Sequence, residues 1–180
     1  MKKLKAIVVA ACFLFAGTVA SAQTKIAYIS VDQVVGLMPA TARIDSLVQQ
    51  YGADSIQPEY ARLITQYQWK DSVYRDSLHT PKSVRDQIAK ELPSFIYQIQ
   101  NWQQIAQQAS EAKQNELLAP IYKEVYDAIK AVAKEKGYSH VFARESLIVM
   151  PDGDNIFTLV AAKLKVKVPP QAAQQPGGIR

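Results

Sequence analysis

The sequence has 180 residues, of which 48% are hydrophobic, as expected for one modest folded domain. A single cysteine excludes a disulfide within one chain. The net charge of +5 suggests an anionic partner, but three of the lysines lie within the first five residues, ahead of an apolar segment.

The first 22 residues predict a secretory signal peptide. Three lysines precede an apolar run over residues 6–19, and Ala20-Ser21-Ala22 provides a small-residue cleavage site. Cleavage between Ala22 and Gln23 would leave 158 residues with 18 basic and 16 acidic side chains, a net charge of +2. The mature chain would contain no cysteine, so its fold must depend on packing alone. We therefore expect a soluble exported protein.

One alternative concerns Cys12. The segment Val9-Ala10-Ala11-Cys12 resembles a lipoprotein processing site, where a lipidated cysteine would become the new N-terminus. The apolar sequence continues past Cys12 to the better Ala-Ser-Ala site, which favours a cleaved signal peptide. The apolar run is also shorter than the roughly 20 residues that a membrane-spanning helix needs. No transmembrane segment is expected in the mature chain.

The mature chain opens with a strand and a long helix. Residues 25–31 are a β-rich run in which Ile26, Tyr28 and Ser30 would point to one side, which predicts a β-strand; Asp32 is then placed to cap about one helical turn. From residue 40 to 78, apolar side chains recur at steps of three, four or seven, which predicts one amphipathic helix. Gly52 and Pro58 interrupt the stripe, so we expect a kink or a short break between them.

A turn near residues 79–83 is predicted to lead into a second long helix. This helix, residues 84–136, carries a similar stripe and ends at Gly137 with lysines in its last turn. Pro93 and Pro120 lie inside it and should each bend it. At about 1.5 Å per residue, both helices are longer than a compact domain of this size allows. They must project as an antiparallel helical-hairpin arm.

The end of the chain predicts short strands, one helix and a tail. Residues 139–143 and 147–150 are β-rich runs around residues 144–146, which predicts a β-hairpin. Residues 156–164 predict a short closing helix. The tail, residues 166–180, is rich in Pro, Gln and Gly and is expected to be disordered.

The predicted fold class is α+β, mostly α with a small β body. The body would comprise residues 23–38 and 138–165, and the arm residues 39–137. Two or three strands per chain are too few to form a stable sheet alone. Because the long arm leaves few residues for the body, the small number of strands points to a body that is shared between copies of the chain.

Motifs of catalysis and of cofactor binding are absent from the sequence. It has no G-x-S-x-G elbow, no glycine-rich phosphate loop and no H-E-x-x-H. The acidic turn at residues 152–155 lacks the closing glutamate of a calcium loop, and His79 and His140 lack a second ligand at metal spacing. We expect no enzyme activity, no cofactor and no metal. Residues 43–118 carry 8 basic and 9 acidic side chains, which excludes a nucleic-acid surface.

Aromatic side chains are concentrated in the outer parts of the predicted arm. Tyr74 and Trp102 fall on the apolar stripes, where packing between the helices is the simplest interpretation. Trp69 and Tyr97 fall off the stripes, which leaves open a second packing surface or an exposed contact for an apolar partner. These four aromatics are our candidate partner contacts.

The order of these parts matches a known family. The matching segments are Lys-Ile-Ala-Tyr-Ile-Ser-Val at 25–31, Leu-Leu-Ala-Pro-Ile at 117–121, and Ala131 to Tyr138 followed by Val141-Phe142. Each segment is weak alone, and their order and spacing carry the likeness. Over most of residues 25–165, the chain resembles the Skp/OmpH family of periplasmic chaperones.

The resemblance implies a periplasmic homotrimer. Its β body would be built from the strands of three chains, and three arms would surround a cavity that holds unfolded outer-membrane proteins without ATP. The arms are expected to flex at four hinges: Gly52, Pro58, Pro93 and Pro120. The positions predicted for the shared trimerisation body are Ile26, Tyr28, Ile29, Val31, Val141, Phe142, Ile148 and Val149.

The arm also departs from the family pattern. The best-known members have strongly basic arms that attract acidic clients, whereas this arm is nearly neutral and only its tip region is mildly basic. Capture of clients by charge is therefore not expected. The alternative function is a trimeric coiled-coil scaffold or adaptor that bridges envelope complexes, and peripheral contact with a membrane is left open.

Overall fold

We describe the fold from a computed structural model, which covers residues 24–169 with defined structure. The predicted signal peptide, Cys12 and the cleavage site between Ala22 and Gln23 lie outside the described residues. So does the predicted tail from residue 170 onward.

The described chain is mostly helical, with one small sheet. A π-helical turn, Gly52–Ile56, joins the second and third helices, and single 3-10 turns lie at Thr41–Arg43, Arg144–Ser146 and Asp152–Asp154. The strands and α-helices are β1 (Ile26–Ile29), α1 (Val31–Leu37), α2 (Ile44–Tyr51), α3 (Gln57–Arg75), α4 (Lys82–Gln100), α5 (Trp102–Lys136), β2 (His140–Ala143) and α6 (Phe157–Lys163).

The sheet pairs the two ends of the described chain. β1 and β2 run parallel, with Tyr28 opposite Phe142. A parallel pair requires a long crossover connection, which here is the whole arm. The return of α5 to the body brings the two strands together, and Ser139 N donates to Lys25 O over 2.8 Å.

The predicted β-hairpin over residues 139–150 is wrong. β2 forms as expected, but Arg144–Ser146 is a 3-10 turn and residues 147–150 form no strand. The side of β1 that faces away from β2 is occupied instead by Asn155, which bridges to Tyr28, and Ile156 N donates to Tyr28 O over 3.1 Å. Residues 147–150 therefore find no strand partner among residues 24–169.

The hydrophobic core lies where the sheet, α1, α5 and α6 meet. Ile29, Val34 and Val125 are fully buried there, together with Ile156 and Val160. Burying apolar side chains from four separate elements joins the two ends of the chain into one body. The arm extends from this body through α2, which packs on α5.

The C-terminal side of the body extends further than predicted. Val166 and Val168 pack against the core, and Val166 N donates to Ala161 O over 3.0 Å. This differs from the disorder predicted to begin at residue 166. The alternation of Lys163, Lys165 and Lys167 with apolar residues explains the difference, because one side of this segment can face the core while the other faces water.

The arm differs in detail from two uninterrupted helices. Between α2 and α3 the chain forms a π-helical turn rather than a break. Pro58, which lacks a backbone donor, is the second residue of α3. The second helix is interrupted at Asn101, between α4 and α5, whereas Pro93 and Pro120 lie within continuous helix. The hairpin turn spans residues 76–81 and begins earlier than predicted.

Asp76 explains the early turn. Its Oδ1 accepts hydrogen bonds from the backbone N–H groups of Leu78 and His79, at 3.2 and 3.1 Å. Aspartate competes for backbone donors in this way and favours turns over helix. Leu78, expected to belong to the apolar stripe, is therefore exposed at the tip.

Replacing Gly137 by alanine is expected to lower the free energy of unfolding by about 1 kcal/mol. Gly137 ends α5 with φ of 71°, and this left-handed conformation is strained for a residue with a Cβ atom. Urea denaturation followed by circular dichroism measures the change. Gly153→Ala is the matched control, since Gly153 has no positive φ; equal losses for both variants would contradict this explanation.

Candidate functional site

The outer arm is an antiparallel helical hairpin with a narrow core. α3 packs along α4, and the buried side chains between them are Leu63, Ile88 and Leu92. Farther from the tip, the rings of Tyr60 and Trp102 pack with centroids 5.1 Å apart. Two helices present too little shared surface to bury every aromatic residue, so several must face solvent.

The structure separates the four predicted partner contacts into two groups. Trp69 and Tyr97 are 60% and 66% exposed, and Tyr74 is also exposed. Trp102 is partly buried against Tyr60. Three of the four are therefore available for an external contact, whereas Trp102 serves mainly to hold α5 against α3. Whether any of them binds a partner stays a prediction.

An ion pair crosses the hairpin beside the exposed Trp69. Lys70 Nζ lies 2.5 Å from Glu91 Oε2, and it also lies 5.6 Å from the ring centroid of Phe95 and 5.7 Å from that of Trp69. A cation this close to two rings interacts with both. The hydrogen bond and the positive charge of Lys70 hold the pKa of Glu91 below its ordinary value of 4.5.

Replacing Glu91 by glutamine is expected to destabilise the protein at neutral pH but not in acid. A carboxylate whose folded-state pKa is lowered stabilises the fold above the pKa of the unfolded chain. This contribution is lost as pH falls from about 4.5 through the lower folded-state pKa of Glu91. Urea denaturation over a pH series measures the difference between Glu91→Gln and wild type.

The exposed carboxylate Glu124 on α5 provides the control, as Glu124→Gln. A stability difference for Glu91→Gln that stays constant from neutral to acid pH would contradict the assignment. Sequence analysis missed the Lys70–Glu91 pair, because a contact between residues 21 positions apart depends on where the hairpin turns.

Five of the eight cations in residues 43–118 are neutralised by neighbouring carboxylates. Four of these ion pairs connect residues three or four positions apart on one helix. The ion-paired cations are Arg62 (with Glu59), Lys70 (with Glu91), Arg75 (with Asp71), Lys82 (with Asp86) and Lys113 (with Glu116). The exposed aromatics of the arm thus lie on a surface where most cations are ion-paired.

A second unpartnered surface lies on the body. Among the described residues β2 pairs only with β1, so its outer edge is open. Ile148 and Val149 are 96% and 85% exposed, and Ile26 and Phe142 are also exposed. Exposed apolar side chains and an open strand edge both commonly mark an interface.

The remaining four positions predicted for the trimerisation body are buried or half-buried within the single chain. Tyr28 and Ile29 are buried within the chain, and burial raises the pKa of Tyr28. Val31 and Val141 are half-buried against the core. These four side chains stabilise the single chain. Of the predicted trimerisation positions, the exposed ones are Ile26, Phe142, Ile148 and Val149, and their contact with another copy stays a prediction.

Other kinds of site find no support in residues 24–169. This part of the chain contains no group of three or more His, Cys, Asp or Glu side chains arranged to hold a metal ion. His79 lies at the arm tip beside Asp76, and His140 lies on β2 stacked on Phe142. None of the helices within the described range combines the length and apolarity needed to cross a membrane.

Comparison with known proteins places the chain in a family. One similar solved structure is that of a candidate outer membrane chaperone (OmpH-like) from Caulobacter crescentus, which is 21% identical; the match covers 78% of this chain and 83% of that chain, with a TM-score of 0.45. No curated protein matches the chain significantly. The model of the family described as "Outer membrane protein (OmpH-like)" matches residues 25–164. Because this match spans most of the sequence, the chain belongs to the OmpH-like family.

Proposed function

We propose that this protein is an ATP-independent holdase chaperone of the periplasm. It binds unfolded outer-membrane proteins after export and prevents their aggregation. Membership of the OmpH-like family, which is a family of chaperones, supports a chaperone-type role. The observation that carries the proposal is the projecting hairpin with Trp69, Tyr74 and Tyr97 exposed on it.

The working unit in this proposal is a homotrimer. A two-stranded sheet is only marginally stable alone, and three copies could pool their strands into one body. The open edge of β2 and the exposed Ile148 and Val149 provide surface for that contact. Three arms hanging from a shared body would then enclose a cavity for one unfolded chain.

Binding would depend on many weak apolar contacts and on no covalent chemistry. An unfolded β-barrel protein carries exposed apolar side chains, and their burial against arm aromatics is favourable without being specific in sequence. The π-helical turn at Gly52 and the prolines Pro58, Pro93 and Pro120 are the places where the arms would flex to fit clients of different size.

The test measures aggregation of a urea-denatured β-barrel outer-membrane protein after dilution into buffer. Purified mature chain should suppress light scattering without ATP. Replacing both Trp69 and Tyr97 by alanine should weaken binding of the client roughly tenfold, because two lost aromatic contacts of about 0.5–1.5 kcal/mol each add up to that factor.

The matched control replaces the exposed neighbours Gln68 and Gln100 by alanine on the same two helices. This variant should protect as well as wild type does. Undiminished aggregation at a molar excess of wild-type trimer would overturn the holdase proposal. Equal activity of both double variants would remove Trp69 and Tyr97 from the binding surface.

A further inference from the structure

The contact between Lys70 and Glu91 lies beside Trp69, the most exposed aromatic side chain of α3. The Lys70 side chain is only 20% exposed, yet its Nζ atom lies within 6 Å of the ring centroids of both Trp69 and Phe95. Glu91 comes from the opposite helix and reaches the same nitrogen. One cation, one anion and two rings thus form a single cluster, which we call the Trp69 cluster (Trp69, Lys70, Glu91, Phe95).

The charge of this cluster depends on Glu91. An ammonium group beside two aromatic faces, with no anion near it, would attract carboxylates and select acidic segments. The Glu91 carboxylate, ionised at neutral pH, is hydrogen-bonded to Lys70, so the cluster has no net charge. An apolar segment can then contact Trp69 without leaving a free charge at the contact.

The rest of the arm also has little net charge. Within residues 43–118, four further cations are held in ion pairs within single helices. Residues 43–118 carry 8 basic and 9 acidic side chains in all. A surface of this kind provides no long-range attraction for an acidic chain, so short-range contact must decide what binds.

We infer that the Trp69 cluster binds apolar segments of unfolded polypeptide irrespective of their charge, and that Glu91 is the specificity-determining residue that prevents selection by charge. The inference rests on the proposed holdase function and names the chemistry of the segment that is held. It makes client binding insensitive to salt, since the energy comes from burial of apolar surface rather than from ion pairing.

The experiment uses two fluorescent peptides and the full-length mature protein. One peptide alternates leucine or tyrosine with serine, and the other replaces two of its serines by aspartate. Binding is followed by fluorescence anisotropy at low and at high sodium chloride concentration. Wild type should bind both peptides with similar affinity, and neither affinity should fall with salt.

Glu91→Gln frees the Lys70 ammonium while keeping the shape of the side chain. It should bind the acidic peptide roughly two- to fivefold more tightly than the neutral peptide at low salt, and this preference should disappear at high salt. The matched control is Glu59→Gln, which frees the exposed Arg62 by the same change of charge outside the Trp69 cluster. Circular dichroism spectra of both variants should match that of wild type, which tests that they remain folded.

The outcomes separate the two proposals. If wild type already prefers the acidic peptide and loses that preference with salt, or if Glu59→Gln creates the preference as strongly as Glu91→Gln does, the role of Glu91 is overturned while the holdase function stands. If Glu91→Gln binds both peptides as wild type does, with affinities that do not depend on salt, the role of Glu91 is also overturned. Failure of wild type to bind either peptide or to protect a denatured β-barrel protein would overturn the holdase proposal itself.

Discussion

Replacing Ile156 by alanine is expected to lower the free energy of unfolding by about 3 kcal/mol, the typical cost of truncating a buried isoleucine. Ile156 is fully buried where β1 meets α6, and its backbone N–H donates to Tyr28 O. The truncated side chain would leave a cavity between elements from opposite ends of the chain. Urea denaturation followed by circular dichroism measures the loss.

The control is Leu159→Ala, because Leu159 lies on α6 close to Ile156 but is exposed and does not belong to the hydrophobic core. It should cost less than about 1 kcal/mol, because little surface is newly exposed. All variants must be compared at one protomer concentration, since association of folded chains adds to apparent stability. Equal losses for Ile156→Ala and Leu159→Ala would contradict the assigned core.

Replacing Ile148 and Val149 together by aspartate is expected to abolish trimer assembly and, with it, protection of clients. Both side chains are almost fully exposed in the single chain, so the change should leave the protomer folded. In an assembled body the two carboxylates would have to be desolvated without partners, at a cost of several kcal/mol. Sedimentation velocity should show monomers.

The matched control introduces the same charges at the exposed polar positions Ser146 and Thr158. This variant should sediment as wild type does and still suppress aggregation. If the Ile148→Asp, Val149→Asp variant assembles normally, these residues do not contribute to the interface. If it is monomeric but protects fully, the proposed cavity is not needed for binding.

Local patterns predicted the helices of the arm and the first strand. The apolar, β-rich run at residues 26–29 and the helical period on either side of the turn both depend on neighbouring residues, which the sequence displays directly. The π-helical turn at Gly52–Ile56 falls where Gly52 and Pro58 interrupt the stripe. The predicted interruption was thus in the right place, but its form was not predictable from the two residues alone.

Long-range pairing explains what the sequence could not predict. The partner of β2 is β1, and a hydrogen bond between residues 114 positions apart helps to bring the two strands together. In the sequence, the apolar run at residues 147–150 is the nearest candidate partner for β2, and it was therefore predicted to pair with it. The same limit applied to the site. Trp69 could be placed off the stripe, whereas the ion pair beside it depends on the hairpin register.

The most direct test of the account is the mass of the complex between the mature protein and a denatured β-barrel outer-membrane protein. Native mass spectrometry after dilution from urea, without ATP, gives the composition of the complex. We predict three copies of this chain with one copy of the client. A monomeric chain beside free or aggregated client would contradict the proposed trimeric holdase.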